Sequence, residues 1–188
     1  MSKPALLLID IQKGLDEIDY YGGHRNNLQA EGNAKRILDF CRNKKFPIFH
    51  IKHNSTNPDS PLMPGEPGNE FKDIVKPLAN ESVIEKQVNS AFIGTDLRLQ
   101  LDVLGVTKLV IVGLTTDHCV SSSARMAGNL GYKTFLVSDA TATFDKVGPD
   151  GTKFNAETIH EVALASLHNE FATVLRTDEL LRQVLGKY

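Results

Sequence analysis

The chain has 188 residues, of which 41% are hydrophobic and 23% are charged, and its formal net charge is −2. This length buries a sizeable core without disulfide or metal support, so we expect one domain over residues 1–188. Acidic and basic residues are interspersed, which leaves no basic stripe for nucleic acid and no polybasic patch for anionic lipid. We therefore expect neither nucleic-acid nor membrane partners.

The N-terminal residues show neither the apolar length nor the cleavage site of a signal peptide. No apolar run approaches the roughly 20 residues that a membrane-spanning helix needs. The only two cysteines, Cys41 and Cys119, lie far apart in different surroundings, which favours reduced thiols over a disulfide. These features predict a cytoplasmic protein.

Short apolar runs alternate with stretches of helical periodicity along the chain. The predicted strands are 5–9, 47–51, 82–85, 108–112, 134–137 and 172–175. The predicted helices are 30–41, 97–104, 119–130, 159–167 and 177–185. Thr95, Asp117 and Thr177 are the residue types expected to cap three of these helices. Cys41 falls on the apolar face of the first helix and is expected in the core.

This alternation predicts an α/β fold: a three-layer open sandwich, Rossmann-like, with a six-stranded mostly parallel sheet. A long polar, proline-rich segment follows the second strand, and loops of that length are typical of lids or binding loops. A glycine-rich phosphate loop does not follow the first strand, which argues against a dinucleotide-binding site. In such sheets ligands bind outside the carboxyl ends of the strands.

Three chemically distinct side chains come at or just beyond the ends of different strands: Asp10, Lys86 and Cys119. Cys119 lies at the start of a helix, where unpaired N–H groups and the helix dipole favour thiolate. Asp10 would take the thiol proton, and Lys86 would stabilise thiolate and carboxylate by its charge. The alternatives are an inert buried cysteine, a structural carboxylate and a surface or ion-paired lysine.

Residues near the carboxyl edge of the predicted sheet are expected to complete a catalytic site around Asp10, Lys86 and Cys119. Backbone N–H groups of Thr115 and Cys119 are the expected oxyanion donors. His118 precedes the nucleophile but points elsewhere at a helix start, so Asp10 remains the expected base. Asp139, after the fifth strand, is expected to brace neighbouring loops. From position alone, the expected substrate-binding residues are Phe92, Tyr20, His53 and Leu62, with core packing or surface loops as the alternative for each.

Several motifs, in this order, resemble the isochorismatase-like cysteine hydrolases, a superfamily that includes nicotinamidases, N-carbamoylsarcosine amidases and isochorismatases. They are Leu-Ile-Asp-Ile-Gln at 8–12, Val-Ile-Glu-Lys at 83–86, Ser-Ala-Phe at 90–92 and Val-Gly-Leu-Thr-Thr-Asp-His-Cys-Val at 112–120. The resemblance implies that Asp10, Lys86 and Cys119 form a catalytic triad. It also implies a non-proline cis peptide between Leu114 and Thr115, and a homodimer or homotetramer.

Two departures from the family narrow the expected activity. Nicotinamidases hold a metal with an aspartate and two histidines around an Asp-x-His pair, whereas this chain has His-Ile-Lys-His at 50–53. His50 and His53 alone fall short of the usual three or four zinc ligands, so no metal and no cofactor are expected. Isochorismatases cleave a vinyl ether without a cysteine nucleophile, whereas Cys119 is present here.

The sequence therefore predicts a metal-independent cysteine hydrolase that cleaves a C–N bond of a small amide, or an ester, through a Cys119 thioester. Two alternatives remain open. One is an isochorismatase-type vinyl-ether hydrolase, and the other is a non-catalytic small-molecule binding protein of the same fold.

Overall fold

The structure, a computed structural model, describes residues 3–188. Its strands are β1 (Ala5–Ile9), β2 (Ile48–His53), β3 (Ser82–Lys86), β4 (Lys108–Leu114), β5 (Lys133–Ala142), β6 (Lys146–Val147), β7 (Lys153–Phe154) and β8 (Thr173–Leu175). Its α-helices are α1 (Ile18–Tyr21), α2 (Ala30–Asn43), α3 (Leu97–Val103), α4 (Ser121–Asn129), α5 (Ala156–Leu167) and α6 (Thr177–Glu179). A π-helical turn, Thr116–Val120, joins β4 to α4.

The six-stranded sheet has the order β3-β2-β1-β4-β5-β8, and every neighbouring pair is parallel. The predicted α/β fold is confirmed, and the sheet is wholly rather than mostly parallel. On one side of β1 the chain adds β2 and then β3, and on the other side it adds β4, β5 and then β8. The order therefore reverses between β1 and β4, and ligands bind at such a switch point in open α/β sheets.

Helices cover both faces of the sheet. Leu6 and Leu8 of β1 pack with α2 in one hydrophobic cluster, which contains Cys41 as predicted. Leu7 and Ile9 point to the other face and join a cluster with α3, α4 and the end of α5. Because β1 is buried on both sides, its sequence is a continuous apolar run rather than an alternating one.

Four strands extend further toward the carboxyl edge than predicted, and among them β4 continues to Leu114. β2 continues to His53 and β3 includes Lys86, because these two polar residues pair in register at the end of the sheet. β5 continues to Ala142 through a register shift opposite β4, so Asp139 lies inside this strand. The shift falls beside Gly113, where a Cβ atom would lie 2.0 Å from the Ile9 carbonyl oxygen, so only glycine fits.

The residue that flanks α3 is Asp96, one position later than the predicted cap, and its side chain makes no capping hydrogen bond. Thr95 Oγ1 accepts from the Leu97 N–H at 3.4 Å and donates to the Ala91 carbonyl at 2.6 Å. Leu104 lies beyond the last helical residue and is exposed, so it does not share the buried face of Leu97. Helical periodicity does not reveal where the backbone leaves the helix.

The structure shows which side of α5 is buried, and it corrects the predicted cap of α6. Val162 is 61% exposed and Ser166 is exposed as well, whereas His160 is buried. Thr177 is the first residue of α6 rather than its cap, and its hydroxyl donates to Asp139 Oδ1 at 2.8 Å. Asp139 thus ties β5 to α6, which is the bracing role predicted for it.

Within residues 3–188, the helices are too short or too polar to span a membrane.

A buried ionic cluster anchors the segment before α2. Glu31 Oε2 accepts from Arg25 at 2.6 Å, and Glu31 Oε1 accepts from Lys72 at 2.6 Å. Burial by itself would raise the pKa of Glu31. The hydrogen bonds and charges of Arg25 and Lys72 outweigh burial and lower that pKa from 4.5 to about 2. The ionised carboxylate therefore stabilises the fold.

The pKa of the Glu31 carboxyl is lower in the folded chain than in the unfolded chain. The stabilisation by its carboxylate is therefore complete above pH 4.5 and is lost as the pH falls toward 2. We expect the free energy of unfolding to fall by up to about 3 kcal/mol across this window through Glu31. The measurement is urea unfolding at pH 7 and pH 3. Glu31→Gln should be less stable at pH 7 and should lose less on acidification. Equal losses in both proteins would contradict the assignment.

Candidate active site

A cavity of about 220 Å³ opens at the carboxyl edge of the sheet, at the switch point between β1 and β4. Asp10 and Cys119 both line it, as do Leu114 and Thr115 from the end of β4 and the turn that follows. A larger groove of about 660 Å³ lies at the amino ends of β2 and β3, beside Arg42, and contains none of these residues. The chemistry-bearing side chains therefore converge on the smaller cavity.

Asp10 directly follows β1 and is only 2% exposed. Its backbone has φ +49, a left-handed conformation that aspartate adopts more readily than most residues. Oδ2 accepts a hydrogen bond from Lys86 Nζ at 2.7 Å, whereas buried Oδ1 has no partner within residues 3–188. One carboxylate oxygen is thus anchored and the other is free to accept a proton.

Lys86 ends β3, is 3% exposed, and has its ammonium surrounded by three acceptors. Nζ lies 2.7 Å from Asp10 Oδ2, 3.1 Å from His53 Nδ1 and 3.3 Å from Cys119 Sγ. An ammonium has three N–H donors, so each acceptor uses one. Burial and the charge of Lys86 lower the pKa of His53, which keeps this ring neutral and its Nδ1 able to accept.

Cys119 lies in the π-helical turn between β4 and α4 and is 9% exposed. Burial raises the pKa of its thiol and the charge of Asp10 adds to this, while Lys86 acts in the opposite direction. Lys86 therefore favours the thiolate as expected, but burial and the charge of Asp10 outweigh it and act against the thiolate expected at a helix start. Removal from water dominates, so the neutral thiol must lose its proton to a base during a reaction.

The turn before Cys119 has the cis peptide between Leu114 and Thr115 that the resemblance implied. The Thr115 carbonyl accepts from the N–H groups of His118 and Val120, both at 3.2 Å. Asp117 is not the cap of this turn. Its carboxylate accepts from the Thr143 hydroxyl and lies 3.6 Å from Lys146 Nζ, because β5 extends far enough to reach it.

Asp10, His53 and Cys119 each offer a ligand atom, and these atoms lie within 4.8 Å of one another. Carboxylate, imidazole and thiolate together would suit zinc. In this structure Lys86 Nζ bonds to all three residues, so a metal ion would have to displace its ammonium. His50 does not join this group, because it is buried elsewhere with Nε2 2.8 Å from Glu81 Oε2.

Three of the four predicted substrate-binding residues line the cavity: His53, Leu62 and, 46% exposed at its mouth, Tyr20. Phe92 does not. It belongs to the hydrophobic cluster beneath α3 and α4, with its ring centroid 6.0 Å from that of Tyr132. Its position shortly after Lys86 suggested the pocket, but the chain turns inward there, so the side chain is part of the core.

Sequence reasoning missed five lining residues: Leu15, Tyr21, Ser60, Asn89 and Lys146. Asn89 Oδ1 is 3.7 Å from Cys119 Sγ. Ser60 belongs to the long loop that was predicted to be a lid or a binding loop. The sequence therefore indicated the loop but not this residue. Nothing in the sequence indicated Lys146 as a cavity residue. It reaches the cavity only because β5 is longer than predicted. His118 also lines the cavity, with its side chain 56% exposed.

Comparison with known proteins identifies the family. The Isochorismatase domain model matches residues 4–179. The isochorismatase family protein YrdC of Bacillus subtilis is 46% identical over 183 residues, 97% of each chain. The crystal structure of an isochorismatase-family protein from Chromobacterium violaceum has a TM-score of 0.94 and 40% identity, covering 100% of this chain and 96% of that one.

A relative with a named activity is Nicotinamidase 3 of Arabidopsis thaliana, which is 29% identical and covers 97% of this chain and 89% of its own. Its name describes an amidase. The match of the domain model over nearly the whole chain and the identity with the Bacillus protein agree with the observed sheet order and site. This chain therefore belongs to the isochorismatase family of hydrolases.

Proposed function

We propose that this protein is a metal-independent cysteine hydrolase that cleaves the C–N bond of a small amide through a thioester on Cys119. The observation that carries the proposal is the position of Lys86, whose ammonium is 2.7 Å from Asp10 and 3.3 Å from Cys119 beside the cavity. A nucleophile, a base and a fixed positive charge within hydrogen-bond reach are the elements of covalent acyl transfer.

Acylation begins with proton transfer from Cys119 to Asp10, whose Oδ1 is buried and has no partner within the described residues. Sγ attacks the amide carbonyl carbon as the proton leaves. The negative charge then shifts to the carbonyl oxygen, which the backbone N–H groups of Thr115 and Cys119 would stabilise. Asp10 returns the proton to the amide nitrogen, the C–N bond breaks, and amine or ammonia leaves.

Deacylation repeats these roles with water as the nucleophile. Asp10 takes a proton from the water, whose oxygen attacks the thioester carbon, and the proton returns to Sγ as the C–S bond breaks. Lys86 Nζ donates to Asp10, His53 and Cys119, which holds it next to the reacting groups. Its positive charge stabilises the thiolate-like transition states of both steps.

The amide assignment is supported by Cys119 itself and by similarity to Nicotinamidase 3 of Arabidopsis thaliana. The metal-independent assignment is supported by the ammonium that occupies the centre of the three possible ligands. A vinyl-ether hydrolase of the isochorismatase type would need Asp10 but not the thiol. A binding protein would need neither a free Asp10 Oδ1 nor a nucleophile next to it.

The test is to trap the covalent intermediate. The protein is mixed with a library of small amides and esters, quenched in acid within seconds, and digested for mass spectrometry. We expect the peptide that contains Cys119 to gain the mass of one acyl group, and the peptide that contains Cys41 to stay unchanged. Turnover without an adduct, and without loss of rate in Cys119→Ala, would overturn the covalent mechanism. Hydrolysis of a vinyl ether that survives Cys119→Ala but not loss of the Asp10 carboxylate would favour the vinyl-ether reaction. Binding without turnover across the library would favour a binding protein.

A further inference from the structure

Two hydroxyl groups that the proposed mechanism does not use are buried in the wall of the cavity. Tyr21 Oη and Thr115 Oγ1 have no hydrogen-bond partner within residues 3–188, and almost no solvent reaches either atom. Both residues line the cavity, and Thr115 is only 7% exposed. A buried polar atom without a partner is unfavourable, so these groups are suited to bind a ligand that supplies the missing partner.

The Tyr21 hydroxyl is held in a fixed position. Its ring stacks on fully buried Phe144, with centroids 5.0 Å apart and an interplanar angle of 22°. The ring of Tyr20 packs edge-on against it at 4.9 Å. Burial raises the pKa of Tyr21, so the group remains an O–H donor.

A cation lines the same cavity. Gly22, the residue after Tyr21, has φ +126, and a Cβ atom there would lie 2.3 Å from the Asp145 carbonyl oxygen. Only glycine allows this close approach, which brings the end of α1 against the backbone that leads into Lys146. Asp117 is 3.6 Å from Lys146 Nζ, beyond direct hydrogen-bond distance, and the Thr143 hydroxyl already donates to that carboxylate.

We propose that Tyr21, Thr115 and Lys146 form a carboxylate-binding subsite, so that the substrate is a small amide with a carboxylate a few bonds from its scissile carbonyl. All three side chains offer donors, and an ionised carboxylate only accepts hydrogen bonds. The charges of Asp10 and Lys86 balance each other, and Lys146 keeps N–H donors for a ligand because its ion-pair partner Asp117, at 3.6 Å, lies beyond hydrogen-bond distance.

The size of the cavity fits such a molecule. Pockets for drug-sized ligands measure about 300–1,000 Å³, whereas this one is about 220 Å³. A monoamide of a short dicarboxylic acid fits this size and presents an amide at one end and a carboxylate at the other. This inference rests on the proposed amidase function for the position of the amide, but its test measures binding rather than turnover.

The test uses isothermal titration calorimetry on Cys119→Ala, which cannot form the thioester. The probes are succinamate, its neutral diamide succinamide, and 4-methylpentanamide, in which an isopropyl group replaces the carboxylate. We expect succinamate to bind about tenfold or more tightly than 4-methylpentanamide, with the diamide between them, because hydrogen bonds to charged groups are the stronger ones. Equal dissociation constants, or no heat with any probe, would overturn the subsite.

Two further substitutions, each combined with Cys119→Ala, test which side chains cause the preference for succinamate. Tyr21→Phe keeps the ring on Phe144 and removes the hydroxyl, and Lys146→Met removes the ammonium. Each should reduce the preference for succinamate at least severalfold. The matched controls are Tyr132→Phe, whose hydroxyl bonds to Asp102 away from the cavity, and Lys153→Met on β7. Preference retained in Tyr21→Phe and Lys146→Met would overturn the proposal.

The same measurements separate this inference from the proposed function. If succinamate binds with the predicted preference and wild-type protein does not hydrolyse any amide, the subsite holds and the amidase function fails. If the wild type hydrolyses neutral amides as fast as acidic ones, the amidase function holds and the subsite fails.

Discussion

Cys119→Ala is expected to fold like the wild type and to hydrolyse its substrate at a rate lower by about 10⁴-fold or more, as is typical when a catalytic nucleophile is removed. Alanine keeps the small apolar volume in the turn before α4 but offers no atom to carry the acyl group. Asp10 and Lys86 retain their 2.7 Å ion pair, so the site loses its nucleophile and little else.

The matched control is Cys41→Ala, the same chemical change at the other cysteine. Cys41 is buried in the cluster around α2, and burial raises its pKa to about 12. Its replacement should cost about 1 kcal/mol of stability through lost packing and leave the rate unchanged. Rates come from steady-state assays and stabilities from urea unfolding. A fully active Cys119→Ala would contradict the covalent mechanism.

Lys86→Met is expected to be the most destabilising single change at the site. It leaves the Asp10 carboxylate buried without its cation, and loss of one partner from a buried ion pair costs about 3–5 kcal/mol. His53 Nδ1 loses its donor at the same time. Activity should fall by about 10³-fold or more, because the charge that stabilises the developing thiolate is gone.

A double-mutant cycle that combines Lys86→Met with Asp10→Asn measures the coupling energy between these two side chains. This coupling is thereby separated from general destabilisation of the protein. Asparagine accepts the left-handed backbone at position 10 and removes the carboxylate charge. The double variant should therefore be more stable than the two single losses predict. Lys52→Met, a lysine on neighbouring β2 that is not part of the cavity, is the control and should change stability by less than about 0.5 kcal/mol. Additive losses in the cycle would contradict a coupled buried pair.

The positions of the site residues along the chain could be predicted from the sequence. Each short apolar run forms a strand, and in a parallel sheet the carboxyl ends of the strands meet at one edge. Asp10, Lys86 and Cys119 follow three such runs, so their convergence needed no contact information. Cys41 was likewise identified as a core residue from helical spacing alone.

The state and surroundings of these side chains depend on the tertiary structure. Helix position suggested a thiolate at Cys119, but the elements packed around it remove water and raise its pKa. His53 was expected on a loop, yet β2 extends to place its ring against the Lys86 ammonium.

The fold class, the family motifs and the order of the reactive residues follow from local patterns of apolar and polar residues, so they could be recognised without coordinates. The burial of Phe92 and the positions of Tyr21 and Lys146 in the cavity wall depend on how distant segments pack together. Such contacts join segments that are remote in sequence, and their burial and hydrogen bonding are set by which elements meet. The proposed nucleophile could be predicted from the sequence, whereas the polar groups of the proposed carboxylate subsite became apparent only in the folded chain.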